Sequence, residues 1–438
     1  MSYKKTFLVI IFFVFFTNLF CQNGETDWWY FGGKAGLHFS DNTVQYDTNS
    51  AMNAMISCAS ISDNKGQLLF YTNGDYVWNK DHLIMENGDT ISNQNASYPF
   101  NYSYVSVIIP NPANKKQYYI FSIDNCVNNP STLYYSIIDL TYNNGLGKVI
   151  SKQNILFNNV VLKLTAVQHT NKQSFWVITH LWNSKNYISF KISKNGIENP
   201  VYSNTGDYLG VGQGGNSIGW LSHKGGYLRI SPRGDLLVHT IQTNPPGSSI
   251  YGRKNVELLD FSCTTGKILF RFSIALFYPT GAEFSSNGNV LYVVAGAIFQ
   301  MNLASMNDSL IKNSIKQIAT TGNTFYSLQL AKNNKIYAGQ GSTLFKKSKY
   351  VAVINNPDVI GVACNFIDSG KYLGGRNCQE GLPIFIQSYF FKPDFEAIGT
   401  CFSDTTQFYV QDSSQVDSLF WIFDDSISGS NNFSNSWI

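Results

Sequence analysis

Along this chain a polar cluster of Asn, Asp, Lys and Gly is followed, six times, by four to six apolar or aromatic positions. The pattern reads SDNKGQLLFYT from Ser62, NPANKKQYYIFSI from Asn111, HTNKQSFWVITH from His169, SPRGDLLVHTI from Ser231, SSNGNVLYVVA from Ser285 and AKNNKIYAG from Ala331. A tight polar turn entering a buried strand has this signature. Each copy is followed by a second strand-like run, LYYSIIDL, YISFKIS, VELLDFS, AIFQMNL or YVAVINN, that alternates or runs apolar before another turn. Helical signals are scarce, since no stretch of a dozen residues sustains a 3.6-residue period between caps.

Taking Gly66, Lys116, Lys172, Gly234, Gly288 and Asn334 as anchors, the copies are 50, 56, 62, 54 and 46 residues apart. A mean near 54 residues suits a four-stranded propeller blade with generous loops. The span 22–392 then holds about seven such units, with six and eight left open. Six anchors account for six blades. The pieces DWWYFGGKAGLHFS, near the start, and GLPIFIQSYFF, near the end, are predicted to pair and complete the seventh, which would remove open edges from the ring. The fold class expected is all-β, a seven-bladed β-propeller.

The 438-residue chain is 15% aromatic and 13% charged, which supports strands over helices. Its first residues place Lys4 and Lys5 before an apolar run from Phe7 to Phe16, so residues 1–21 read as a secretory signal peptide. A membrane anchor needs about 20 apolar residues, and Thr17 and Asn18 interrupt this run early. Lipidation of Cys21 would want a small residue before it, where Phe20 stands. Removing 1–21 lowers the net charge from +3 to +1, a balance that asks for neither nucleic acid nor an acidic membrane. The mature chain is therefore expected to be secreted or held on the outer cell surface, with no integral membrane span.

After Phe391 the texture becomes acidic and Ser-rich, with apolar alternation in TQFYV and SLFWIF. Residues 393–438 read as the opening strands of a small β-sandwich, too short for a complete one.

The candidate chemistry is sparse. Asp63 to Gly66 has the look of a calcium loop, but Lys65 falls on the third position and Gly66 on the fourth, where an EF-hand wants an oxygen ligand third and glycine sixth. Gly210, Gly212 and Gly215 satisfy GxGxxG without the strand-to-helix context of a dinucleotide site. Gly215 to Gly219 satisfies GxSxG, but only His223 and His239 follow Ser217, too soon for a hydrolase triad. A glycine-rich connection between blades accounts for both. No CxxC occurs, so structural zinc has no support. Cys364 and Cys378 flank a Gly-rich loop and form the one close cysteine pair, a possible disulfide in an oxidising compartment, while Cys58 reads as a buried thiol. His169 and His180 bracket one repeat, with a structural role weighed above metal binding. His180, Trp182, Trp220 and His223 are the residues placed on a propeller face as binding candidates. Trp28, Trp29 and Trp220 suit sugar stacking, with core packing the simpler account.

The stretches WWYFGGKAGLHF, SCASISDNKGQLLFYTNGDYVWN, SVIIPNP, YYIFSID, KLTAVQH, FWVITHLWNS, GYLRISPRGDLL, VELLDFSCTTGKI, GAEFSSNGNVLYV and VAVINNP together resemble secreted bacterial β-propeller proteins of the WD-repeat-like, lactonase-like type that precede a PKD domain. In the tail, Trp421 to Asp425 stands where PKD domains carry W-x-F-G-D-G, without the glycine. The resemblance implies a protein associated with gliding motility or type IX secretion, and brings no agreed catalytic residues. A rigid repeat scaffold with long variable loops and no coherent catalytic constellation reads as a non-catalytic surface protein whose propeller face binds a protein or glycan, with the sandwich as spacer; the alternative is a metal-dependent propeller hydrolase. The first requires no cofactor. The second would hold a metal such as calcium in the central channel, with Asp124, Asp139, Glu257, Asp260 and Glu283 as the strand-associated acids available.

Overall fold

The computed structural model describes residues 24–40, 43–92, 105–124, 131–209, 226–241, 256–305, 307–319, 324–342 and 346–391, with four short strands further on. The signal-peptide reading of 1–21 and most of the sandwich reading of 393–438 lie outside these. In the tail, Phe395–Ile398 pairs with Gln407–Val410, and Trp421–Ile422 pairs with Phe433–Ser434.

Seven antiparallel sheets follow one another along the chain, and they form a seven-bladed β-propeller. Blade 1 has Trp28–Gly33, Ala35–Ser40 and Thr43–Asp47; blade 2 has Ala59–Ser62, Leu68–Thr72 and Val77–Asn79; blade 3 has Val105–Pro110, Gln117–Ile123, Ser131–Asp139 and Lys148–Val160. Blade 4 has Thr165–Gln168, Phe175–His180, Ser184–Ser193 and Val201–Leu209; blade 5 has Leu228–Ile230, Leu236–Thr240, Val256–Phe261 and Ile268–Ile274. Blade 6 has Gly281–Phe284, Val290–Val294, Ile298–Asn302 and Lys316–Ala319; blade 7 has Phe325–Leu330, Ile336–Ser342, Tyr350–Ile354 and Phe366–Tyr372. In blades 2 to 7 the first strand is innermost and is buried almost throughout, because both its faces are covered.

The six sequence repeats are the first hairpins of blades 2 to 7, all on one face of the ring. In each, the amide of the fourth turn residue donates to the carbonyl of the first: Gly66 to Asp63, Asn114 to Asn111, Lys172 to His169, Gly234 to Ser231, Gly288 to Ser285 and Asn334 to Ala331. In blade 3 this residue is Asn114, two positions before the Lys116 taken as anchor. Five of these six are left-handed, with φ of +78° at Gly66 and Gly234, +73° at Gly288, +57° at Asn334 and +55° at Lys172. Asp63 Oδ1 accepts the amides of Lys65 and Gln67, both at 2.9 Å, so the apparent calcium carboxylate is used up in shaping its turn. Lys172 is the least suited of the five to its backbone, since a side chain in the left-handed region costs about 1 kcal/mol. Lys172→Gly is accordingly expected to raise the urea midpoint by about 0.5–1 kcal/mol of stability; a lowered midpoint would contradict this account of the turn.

Blade 1 is built differently. The Trp28 indole donates to Gly66 O at 3.0 Å, which puts the start of Trp28–Gly33 beside the first hairpin of blade 2. This strand therefore runs as a second strand does, and the inner position of blade 1 is open to other segments. Asn53–Ala54 pairs there with Gly32 and Gly33, and Gly33 N–H also donates to Asn377 O at 2.9 Å. Only glycine fits at position 32, where φ is +57° and a Cβ would lie 2.4 Å from Asn377 O.

From Asn377 the chain turns inward and fills the axis of the ring. Ser327 Oγ of blade 7 donates to Glu380 O, Gly381 N–H to Met55 O, and Ile384 N–H to Cys58 O beside blade 2. Pro383 forms a parallel bridge with Cys58, and Ile386 one with Ala166 of blade 4. Leu382, Ile384, Phe385, Ile386 and Phe390 are each at most 4% exposed. The ring thus closes between its ends as expected, with a correction: GLPIFIQSYFF does not pair as a strand with DWWYFGGKAGLHFS. It is an axial strap, meeting that region through Phe385 on Trp29 at 5.7 Å between ring centres. The strap ends in a short turn, Gln387–Phe390, where half-buried Tyr389 lies near Glu25 and Tyr118 on the hairpin face. The chain consequently enters and leaves the propeller on that face, while the connections between blades cross the opposite one.

Candidate functional site

At the axis the inner strands offer few charged groups, and one pair of them faces across two blades. Arg229 of blade 5 places Nε 3.4 Å from Glu283 Oε2 of blade 6 and donates through Nη2 to Leu328 O of blade 7 at 3.1 Å. Glu283 also accepts the amides of Phe284 and Leu330. Burial pushes its carboxyl up to about 7, against the pull of the Arg229 charge. The acids offered for a channel metal do not converge. Asp124 caps its own loop at Thr132, Asp139 accepts from Gln117 and Thr141, Asp260 lies 3.6 Å from Arg271, and Glu257 and Glu283 sit on different strands of blades 5 and 6. Among the described residues no group of three or more His, Cys, Asp or Glu is placed to hold a metal ion.

The densest chemistry lies between blades 4 and 5, on the face opposite the first hairpins. Lys163 stands just before the inner strand of blade 4, His180 ends the second strand and Tyr187 lies in the third; His239 and Glu257 occupy matching places in blade 5, paired across their strands. All five are at most 2% exposed. Lys163 Nζ is 3.0 Å from His239 Nε2 and donates to Thr240 O at 3.0 Å. His239 Nδ1 is 2.7 Å from Tyr187 Oη, which donates to Glu257 Oε2 at 2.6 Å. Glu257 Oε1 accepts the Asp207 amide at 2.6 Å.

Counting donors fixes the direction of this chain. The single Tyr187 proton goes to Glu257, so Tyr187 Oη accepts from His239 Nδ1–H, and His239 Nε2 accepts from Lys163. The result is an unbroken relay from ammonium to carboxylate through a neutral imidazole and a phenol. Burial holds the Lys163 amine down to about 7 and raises the Glu257 carboxyl. Although His239 Nδ1 is 3.4 Å from Glu257 Oε2, burial, reinforced by the Lys163 charge, keeps its imidazole well below the usual range, so the contact is a hydrogen-bonded relay and not an ion pair. His180 packs edge-on to Tyr187 and donates from Nδ1 to Leu181 O at 2.7 Å, leaving Nε2 without a hydrogen-bond partner in the structure. Burial lowers His180 to about 3. Chemically the cluster can pass or share a proton. Its side chains are closed off from solvent.

Of the face candidates, His180 is buried in this cluster. Trp182 is half-buried against Val161, Leu209 and Ile241, with its amide on Asn159 O. Trp220 and His223 lie outside the described residues, as do the GxGxxG and GxSxG motifs. Trp29 is fully buried and Trp28 stacks on His38 at 4.0 Å. Cys364 and Cys378 require correction, because both are free buried thiols. Cys364 ends a turn before the outer strand of blade 7 and Cys378 follows that strand, whose seven residues span about 20 Å. Bridged cysteines have Cα atoms within about 7 Å. Cys378 Sγ instead accepts the Gln340 amide. Sequence reasoning missed Lys163. Its signal was a lone lysine inside the apolar run VVLKLTAV, a charge on a buried strand approach that demands a partner.

No family model matches the chain, and no curated protein matches it. Among solved structures it is similar to a protein provisionally named as a 6-phosphogluconolactonase from Bacteroides fragilis, with 13% identity, 82% of this chain and 91% of that chain covered, and a TM-score of 0.39. A second, with the same provisional name and from Bacteroides uniformis, shows 11% identity, covers 82% and 92%, and has a TM-score of 0.41. At these values neither likeness transfers a residue role or an activity. No helix among the described residues is long and apolar enough to cross a membrane.

Proposed function

We propose that this is an exported or outer-surface binding protein without catalytic activity, whose propeller presents a protein- or glycan-binding surface and whose residues 393–438 act as a spacer. The observation that carries the reading is the filled axis: Leu382 to Phe390 occupies the space where a channel site would lie. The buried relay between blades 4 and 5 joins two blades and offers no exposed nucleophile or acid. A ring whose described propeller begins at Gly24 and ends at Phe391 on one face leaves its other face and its rim to partners.

The metal-dependent hydrolase reading finds no support in how Asp124, Asp139, Glu257, Asp260 and Glu283 are placed. Immobilised mature chain is expected to retain cell-surface polysaccharide or envelope proteins, and to hydrolyse neither lactones nor phosphoesters. Retention of neither partner class removes the binding reading, whereas hydrolysis lost on chelation restores the enzyme.

A further inference from the structure

We infer that the seam where the ring closes, between the outer strands of blades 7 and 1, is a binding site for an acidic polysaccharide. The inference rests on the binding reading above and names its ligand class. Three tyrosines gather there from separate strands: Tyr46 of blade 1, and Tyr350 and Tyr372, which sit opposite each other in blade 7. They are 52%, 38% and 44% exposed and lie together as one patch, which marks an interaction surface where scattered exposed rings do not. Tyr46 and Tyr372 meet edge to face with 5.9 Å between centres, and Tyr350 and Tyr372 lie 5.3 Å apart at 48°.

The rings are seated and not merely left outside. Gly374, with φ of +61°, lies so close beneath Tyr46 that a Cβ would stand 2.5 Å from its ring. A tyrosine fixed in this way offers rigid, amphipathic contact area at little entropic cost.

Cations flank the rings. Lys371 donates to Val44 O and Arg376 to Thr48 O, tying blade 7 to blade 1, and Lys349 donates to Gly375 O. Each bond uses one N–H and leaves further donors on the same group for a ligand. The neighbouring acids are Asp47, which accepts from Tyr30 Oη and the Asn49 amide, and half-buried Asp368. The seam is therefore net positive on a chain that is close to neutral.

Exposed hydroxylated rings suit the C–H faces of sugars, and the ammonium and guanidinium groups suit carboxylates spaced along them. The rings are inclined to one another, so they form no flat platform for parallel-stacked bases. Successive sugar rings rotated about their glycosidic bonds match that inclination.

The test compares the full mature chain with Tyr372→Ala and with Lys349→Gln, by affinity electrophoresis and calorimetry on polygalacturonate, dextran, a single-stranded oligonucleotide and phosphatidylserine vesicles. Polygalacturonate is expected to bind, dextran at least tenfold more weakly, and each variant to lose about tenfold with its thermal midpoint unchanged. Lys349→Gln, an exposed change, keeps the test valid if Tyr372→Ala fails to fold. Binding of polygalacturonate that neither variant weakens places the glycan site elsewhere, sinking this inference while the binding reading stands. Equal or tighter binding of oligonucleotide or vesicles through the same residues also overturns it. Retention of envelope proteins with no polygalacturonate binding does so too, again sparing the broader reading, which falls only if no polysaccharide or envelope protein is retained.

Discussion

Phe385→Ala is expected to destabilise the protein by about 3–5 kcal/mol, the usual cost of emptying a fully enclosed aromatic site. A folded domain has about 5–15 kcal/mol to lose, so this one change removes a large share of it. The ring of Phe385 is 2% exposed and touches Trp29 of blade 1 at 5.7 Å and Phe390 of the same strap at 5.7 Å. Its neighbours cannot collapse onto the gap easily, because Trp29 is held in a hydrogen-bonded strand of blade 1 and Phe390 in the turn that ends the strap. Adding Ile386→Ala empties a second buried site beside the backbone bridge to Ala166, and the doubly substituted chain is expected to show no cooperative urea transition at 37 °C. The control is Phe277→Ala, a residue 66% exposed, which should move the midpoint by no more than about 0.5 kcal/mol. Equal midpoints for Phe385→Ala and Phe277→Ala would show that the strap is a passenger on a ring closed by other means.

The strap also marks the boundary of what the sequence could disclose. The hairpins of blades 2 to 7 were legible because a left-handed residue and its flanking Asx and Ser groups act within five or six positions. Gly66, Gly234 and Gly288 announce their conformation by being glycine. Even so, the composition of Asn111 to Gln117 points to Lys116, whereas the turn closes two positions earlier, at Asn114. The axial course of Leu382 to Phe390 had no such local mark. An apolar run of that kind serves equally as an outer-blade strand, and the partners that decide the matter, Cys58 and Ala166, are more than 200 residues away in the chain. The sequence alone offers His180 as a face residue and Glu257 as a channel acid. Their common surroundings depend on blades 4 and 5 lying side by side, which brings His239 to Lys163 across 76 positions. The exposed tyrosines of the closing seam were invisible for the same reason, Tyr46 and Tyr372 standing at opposite ends of the propeller sequence.

Lys163→Met is expected to change markedly how stability depends on pH on the alkaline side of neutrality. In the folded chain the Lys163 amine titrates at about 7, whereas an unfolded lysine titrates near 10.4. Between those values the unfolded chain holds a proton that the folded chain has shed, so this residue makes stability rise as pH rises through the window, with a limiting slope of about 1.4 kcal/mol per unit. Below about pH 7 both states are protonated and the full burial cost is present. Buried tyrosines such as Tyr187 and Tyr292, whose phenols burial pushes upward, oppose this trend at the alkaline end, and the wild-type profile alone would blend the two. The difference between wild type and Lys163→Met isolates the lysine. Methionine fills similar volume without a charge, but it surrenders the bonds to His239 Nε2 and Thr240 O and leaves both acceptors bare. Among the described residues the groups facing Nζ are His239, His180 and, through Tyr187, Glu257; with both imidazoles held below their usual range, the Glu257 charge offsets the ammonium. Wild type should therefore gain on the variant steadily from pH 7.5 to 9.5, by roughly 2–3 kcal/mol across the interval, in urea titrations at fixed ionic strength. Parallel profiles would mean that Lys163 keeps its proton throughout, as the charged end of a buried ion pair with Glu257 relayed by His239 and Tyr187. In that case Lys163→Met leaves Glu257 an unpaired buried charge, a pH-independent cost on the order of 3–5 kcal/mol, whereas Tyr187→Phe, which removes only the phenol bonds to Glu257 and His239, costs about 1.5–3 kcal/mol.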